Sequence, residues 1–180
     1  FSARISFTLT VHDVTLPEPQ DSLFTYVCWT QLLCPDNARE VYGIEPWSDA
    51  YWTYVKNCAR VLRTQRQNMI NIELEHTLSY RLKADAKGRL VFDFTMFDRF
   101  ASLMLDPAYM GAKYLCGMHL MGRDWMLDMP PGSTWSQRPL IAWIFEPQAD
   151  GTVERVWKPA SDPVVEDFHH QLFAALSAHL

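Results

Sequence analysis

Residues 48–74, SDAYWTYVKNCARVLRTQRQNMINIEL, decide the architecture, because two different periods meet within them. Trp52, Val55, Ala59 and Leu62 recur at steps of three and four and lie on one stripe of a helix. Ser48 supplies its N-cap, and the helix is predicted to run to about Arg66. Over Asn68–Leu74 the helical period stops. Met69, Ile70, Ile72 and Leu74 form the nearly continuous apolar run of a strand buried on both faces.

Upstream, Leu23–Trp29 is a similar apolar and β-branched run. Strand, helix, strand in this order predicts a βαβ unit with parallel strands and a right-handed crossover. Downstream, Tyr80–Leu82 and Leu90–Phe94 flank the polar turn Asp85-Ala86-Lys87-Gly88, the pattern of a hairpin excursion. Thr95 with Asp98 reads as a capping box, and Phe97, Phe100 and Met104 form the helical stripe behind it. Lys113–Met118 reads as a third buried strand, parallel to the other two. His119 to Pro139 shows no period and contains Pro130-Pro131-Gly132, so it reads as a long functional loop. Leu140–Phe145 and Thr152–Trp157 flank Asp150-Gly151, a hairpin. Asp162-Pro163 then opens a helix with Val165, Phe168, Leu172 and Leu176 on one face.

At the other end, Ile5, Phe7, Leu9 and Val11 alternate with polar residues at the strand period. Leu16-Pro17-Glu18-Pro19 closes that stretch as a linker. The fold class predicted is α/β: a partial (β/α)8 TIM-type barrel of three to four βα units, preceded by the last strand of a β-sandwich. A complete barrel takes roughly 250 residues, more than the 180 present. The helix at the C-terminus has no Gly or Asn cap, and the expectation is half a barrel, with residues 1–16 ending one domain and 17–180 beginning another.

Composition narrows the function classes. Hydrophobic residues make up 48% and charged residues 21%, with 7 Trp, 7 Tyr and 10 Phe, which is the usage of a chain that buries a core. A net charge of −5 argues against a nucleic-acid partner, which needs a basic face. No run approaches the roughly 18 apolar residues of a membrane span, so no membrane partner is expected. Cys28, Cys34, Cys58 and Cys116 lack C-x-x-C spacing and read as reduced, mostly buried thiols. No motif calls for a cofactor. Because a targeting segment could precede Phe1, the compartment is open; a secreted or periplasmic site would follow from a signal peptide.

Several tracts are similar to the family 123 glycoside hydrolases and to related uncharacterised bacterial glycoside-hydrolase-like proteins. They are Ser48–Trp52 through Arg66–Ile70, Leu90–Phe94 leading into Phe97–Phe100, Gly117–Arg123, and the closing helix from Phe168 to Leu180. The resemblance runs from about Pro17 onward and implies a barrel preceded by a β-sandwich. It also implies removal of N-acetylgalactosamine by substrate-assisted retention, in which the acetamido oxygen of the substrate attacks the anomeric carbon. An adjacent Asp-Glu pair polarises the acetamide and protonates the leaving oxygen in that scheme. No Asp-Glu dipeptide occurs in this sequence, so the pair is expected beyond Leu180 and this chain alone is expected to be inactive.

In a barrel, function gathers where strands end. Trp29 follows the first strand and could stack on a sugar face, with a rim aromatic as the structural alternative. Glu73, Glu75 and His76 follow the second; the two carboxylates share a face if the strand continues, and could bind hydroxyls or pair with Arg or Lys. A metal role has little support there, since no third ligand shows characteristic spacing. His119, Arg123, Asp124 and Trp125 follow the third strand and form the richest cluster, with an Arg-Asp loop anchor as the alternative. His169 and His170 point in different directions on their helix and read as solvated or interfacial. Three function classes compete: a glycoside hydrolase with a carbohydrate substrate, a non-catalytic carbohydrate-binding or structural barrel, and a self-contained module. The partner is then the remainder of the barrel in the first case, or another copy in the third.

Overall fold

The computed structural model describes residues 4–27, 33–117, 119–124 and 127–180. Helix α1 (Pro35–Tyr42) is followed by α2 (Asp49–Thr64), strand β1 (Met69–Ile72) and the single turn α3 (Leu74–Thr77). A two-residue hairpin, β2 (Lys83–Ala84) and β3 (Leu90–Val91), leads into α4 (Thr95–Leu105) and β4 (Tyr114–Gly117). Strands β5 (Met121–Arg123), β6 (Leu140–Pro147) and β7 (Val153–Pro159) precede α5 (Pro163–His179).

Of the three expected parallel strands, the second and third pair as expected. β1 and β4 pair in parallel, from Met69 with Tyr114 to Ile72 with Gly117. The buried face of α2 carries Val55 and Ala59, and that of α4 carries Phe97, Phe100 and Met104, all in one core with Ile70 and Ile72. Ser48 Oγ accepts from Tyr51 N at 3.1 Å, the predicted N-cap. The second hairpin is also as expected: β6 and β7 are antiparallel around the Gln148–Thr152 turn, where Gly151 takes a φ of 84°. Asp162 accepts from Val164 N and Pro163 opens α5, whose Phe168 packs edge-on against Trp143 and Phe145.

Other expectations are corrected. The described strands form three separate small sheets, β1-β4, β2-β3 and β5-β6-β7, and no closed barrel. Only the first is parallel; strand pairing continues beyond it by hairpins, which cannot build successive βα units. Residues 4–17 hold no strand, and Ile5, Phe7, Leu9 and Val11 stay more than three-quarters exposed. Alternation specifies a strand only where a ladder partner and an apolar surface exist to receive it. The second apolar run leaves the strand at Ile72, because Leu74 starts a helical turn with Glu73 at its N-cap. Thr95 is not a cap: Phe94 holds that position, and Asp93 Oδ1 accepts from Thr95 N instead. The stretch 119–139 is less irregular than its composition suggests, holding β5 and a 3-10 turn at Trp135–Gln137.

Residues 23–27 form no strand, yet they lie alongside β1 through one residue. Asn68 is 1% exposed. Its amide nitrogen donates to Pro19 O at 3.0 Å and Phe24 O at 2.6 Å, while its Oδ1 accepts from Tyr26 N at 2.7 Å. Its own N–H donates to Tyr26 O, and its carbonyl accepts from Lys113 N and Tyr114 N. Cys28 and Trp29, the end of the predicted first strand, lie outside the described residues.

Replacing Asn68 by Ala strands three backbone groups that it now satisfies. An unmatched buried group costs about 1–3 kcal/mol, so Asn68→Ala should lower unfolding stability by at least about 2 kcal/mol. Urea denaturation measures this, and a change under about 0.5 kcal/mol would show that water replaces the amide at no cost.

Candidate functional site

The C-terminal end of β1 delivers Glu73, Glu75 and His76 into one place, although not by strand alternation. Glu73 caps the N-terminus of α3, and the turn that follows folds Glu75 and His76 back beside it. Ligand atoms of all three lie within 4.8 Å of one another. From the hairpin, β7 contributes Arg155, whose Nη1 stands 3.3 Å from Glu75 Oε1. From α1 comes Asp36, whose Oδ2 is 3.5 Å from His76 Nδ1 and whose Oδ1 pairs with Arg39 at 3.0 Å. His76 Nε2 faces Glu75 Oε1 at 3.5 Å and Cys34 Sγ at 3.3 Å.

Asp36, Arg39, Glu75, His76 and Arg155, with Pro35, Pro46, Trp47 and Ser79, line a cleft of about 280 Å³. That volume is near the lower end of small-molecule sites. Trp47 holds a φ of 63°, a conformation that costs a bulky residue on the order of 1–3 kcal/mol. Its neighbours hold it there. Its ring packs edge-on against Tyr51 at 5.2 Å and Tyr80 at 6.3 Å, and its carbonyl accepts from Trp52 Nε1 at 3.1 Å. An aromatic face is thereby fixed at the rim of a polar cleft.

Burial governs the charges. It raises Glu73 above the ordinary carboxyl range, helped by the like charge of Glu75 and opposed by Arg155. Glu75 is raised by burial too, against the pull of Arg155. His76 is lowered by burial, which outweighs the attraction of Asp36. A carboxyl that keeps its proton longer can donate a hydrogen bond as well as accept one, and a neutral imidazole can do the same. Glu73, Glu75 and His76 could in principle ligate a metal, but Arg155 already brings a positive charge to Glu75 at 3.3 Å. The set is better suited to hydroxyl and amide groups of a ligand.

The other candidates are placed differently. Arg123 Nη1 donates to Arg138 O at 2.6 Å, and Arg138 Nη1 donates to Asp124 O at 2.6 Å and Leu127 O at 2.7 Å. Asp124 Oδ1 accepts from Leu127 N at 3.1 Å. His119 is exposed, and its carbonyl accepts from Trp143 Nε1 at 3.1 Å. None of these three lines the cleft. Trp29 and Trp125 lie outside the described residues. His169 packs beside Phe168 and Phe173, and His170 stands 3.9 Å from Glu166 on the exposed face of α5. Sequence reasoning missed Asp36, Arg39, Trp47 and Arg155. Pro35 and Asp36 do carry a helix-start signal, with Pro in the first turn and an acid beside it. Arg155 gives none, because it is one charged residue on a hairpin strand.

The signs of the shifts fix a pH response. A carboxyl raised in the folded state contributes stability below its unfolded value, near 4.5 for Glu73, and loses it as pH rises through the folded value. Glu73→Gln removes a buried group whose charged form burial disfavours. The variant should therefore be more stable than the parent at about pH 7, with the gain disappearing by about pH 4. Denaturant midpoints at the two pH values check this; an equal difference at both would assign the effect to packing.

A search of the curated proteins finds no match to this chain. The model of the glycoside hydrolase 123 catalytic domain matches residues 29–180, which include β1, the cleft and every labelled element. With most of its length inside that match, the chain belongs to glycoside hydrolase family 123.

Proposed function

We propose that the cleft at the end of β1 is part of the sugar pocket of a glycosidase acting on N-acetylhexosamine glycosides, N-acetylgalactosamine first among them. The observation that carries this is the union of an aromatic ring, Trp47, with the carboxylates of Asp36 and Glu75, the imidazole of His76 and the guanidinium groups of Arg39 and Arg155 in one cleft. Sugars need both: C–H faces pack on indole, and hydroxyls need converging donors and acceptors. Glu75 and His76 would hydrogen-bond the sugar, with Arg155 fixing the position of Glu75. His119, Arg123 and Asp124, with Trp125 and Trp29, would bound the pocket from the neighbouring strand ends.

Hydrolysis on this reading is substrate-assisted and retaining, with the acetamido oxygen as nucleophile. The Asp-Glu pair that this scheme uses has no counterpart in the sequence, so a segment following α5 would bring it. Residues 1–16 would belong to a preceding β-sandwich and 17–180 to the catalytic domain.

Two outcomes are expected. The 180-residue chain should release a chromogenic leaving group from an N-acetylgalactosaminide no faster than a denatured control, since losing a general acid alone costs about 10²–10⁴-fold. A protein continued past Leu180 to an Asp-Glu pair should be active; activity in the short chain would place the acid among Glu73 and Glu75. Glu75→Gln should weaken N-acetylgalactosamine binding by about 1–3 kcal/mol in a calorimetric titration, because Arg155 and the sugar both lose a charged partner. Unchanged affinity in a folded Glu75→Gln variant would move the sugar elsewhere.

A further inference from the structure

Cys34 takes the N-cap position of α1, with φ −63° and ψ 128°. It makes no side-chain capping bond there, but the backbone N–H groups of Asn37 and Asp36 favour its charged form. His76 Nε2 lies 3.3 Å from Cys34 Sγ, and on the far side of the ring Nδ1 lies 3.5 Å from Asp36 Oδ2. Nucleophile, base and orienting carboxylate are thus in line, the relation that activates thiols on unrelated folds. A helix N-terminus favours the negative charge that develops on sulfur. We propose that Cys34, His76 and Asp36 form an activated thiol, a site of covalent modification by small carbon electrophiles. It does not depend on the glycosidase reading, because it concerns reaction at sulfur and needs no sugar.

Burial pushes the Cys34 thiol up, so the proton rests on sulfur until attack begins. The step is then general-base assisted displacement. The Sγ–H proton passes to His76 Nε2, the S–C bond forms, and the C–halogen bond of the probe breaks with halide leaving. Asp36 holds the imidazolium that results. Four groups face the thiol: His76, Asp36, Glu73 and Tyr51; Glu75 and Arg155 face the imidazole from the cleft side. Because His76 lines the cleft, a group attached to Cys34 would press on the ring that Glu75 contacts.

The other described cysteines provide the references. Cys58 and Cys116 are half-buried, more open than Cys34 at 8% exposure, and Cys116 donates to Gly117 O. The folded 180-residue chain is treated with iodoacetamide, and mass spectrometry with residue-level fragmentation follows each cysteine. Cys34 should be alkylated about tenfold faster than Cys58 or Cys116 despite its deeper burial. His76→Gln should slow Cys34 by about tenfold and leave the two references unchanged. Labelling of Cys34 at or below the reference rate, or only in denaturant, overturns the proposal, as does an unaltered rate in folded His76→Gln. If that variant unfolds, all three rates rise together, and Asp36→Asn then decides. It keeps the imidazole and removes its orientation, so slowing at Cys34 supports the triad and an unchanged rate overturns it.

Discussion

Residues 19–26 are held beside β1 through the side chain and backbone of Asn68. A buried amide can make four hydrogen bonds, and this one makes its side-chain bonds to three different backbone groups of residues 19–26. Its backbone then accepts from the start of β4. Two segments far apart in sequence are therefore positioned against β1 by a single residue, at the point where α2 hands the chain to the sheet. Arg63 and Arg66, in and just after the last turn of α2, add bonds to Pro107 O and Pro17 O around the same junction. Asn was the residue for this task because a carbonyl and an amide on one short stem can bind N–H and C=O of a segment that has no ladder of its own.

The same economy places the cleft. β1 and β7 belong to different sheets, so no backbone ladder joins them. Arg155 crosses that gap to Glu75, and the contact is made by a residue whose partner is mostly removed from water. Three carboxylates, of Asp36, Glu73 and Glu75, converge near one imidazole and the guanidinium groups of Arg39 and Arg155. Burial is the main cause that raises Glu73, with the like charge of Glu75 adding to it and Arg155 opposing it. A pocket organised this way suits a neutral, hydroxyl-rich ligand better than an anion, which the same acids would repel.

Much of this was legible, and the limits have identifiable causes. The α2 stripe, the β1–β4 pairing, both hairpins and the start of α5 follow from periods and turn residues that act locally. The position of Glu73, Glu75 and His76 at a strand end was legible for the same reason. What was not legible is what depends on company. Ile5–Val11 has the pattern of a strand with no partner to pair with, and Leu23–Val27 pairs through a side chain instead of a ladder. Asp36 and Arg155 join the cleft across 40 and 80 positions of sequence from His76 and Glu75, by contacts that leave no spacing to read.

The loop after β5 shows how a segment without period can still be fixed. Arg123 holds the carbonyl of Arg138, and Arg138 holds the carbonyls of Asp124 and Leu127, so each arginine closes the stretch that carries the other. Thr134 and Gln137 cap the 3-10 turn between them by two reciprocal bonds. Guanidinium groups spend their directed donors on backbone here, which leaves fewer of them for a ligand. The acceptors of the two arginines here are backbone carbonyls, of Arg138 for Arg123 and of Asp124 and Leu127 for Arg138. A ligand meeting this loop would therefore find its shape set by the two arginines, and would have to take its own hydrogen bonds from other side chains.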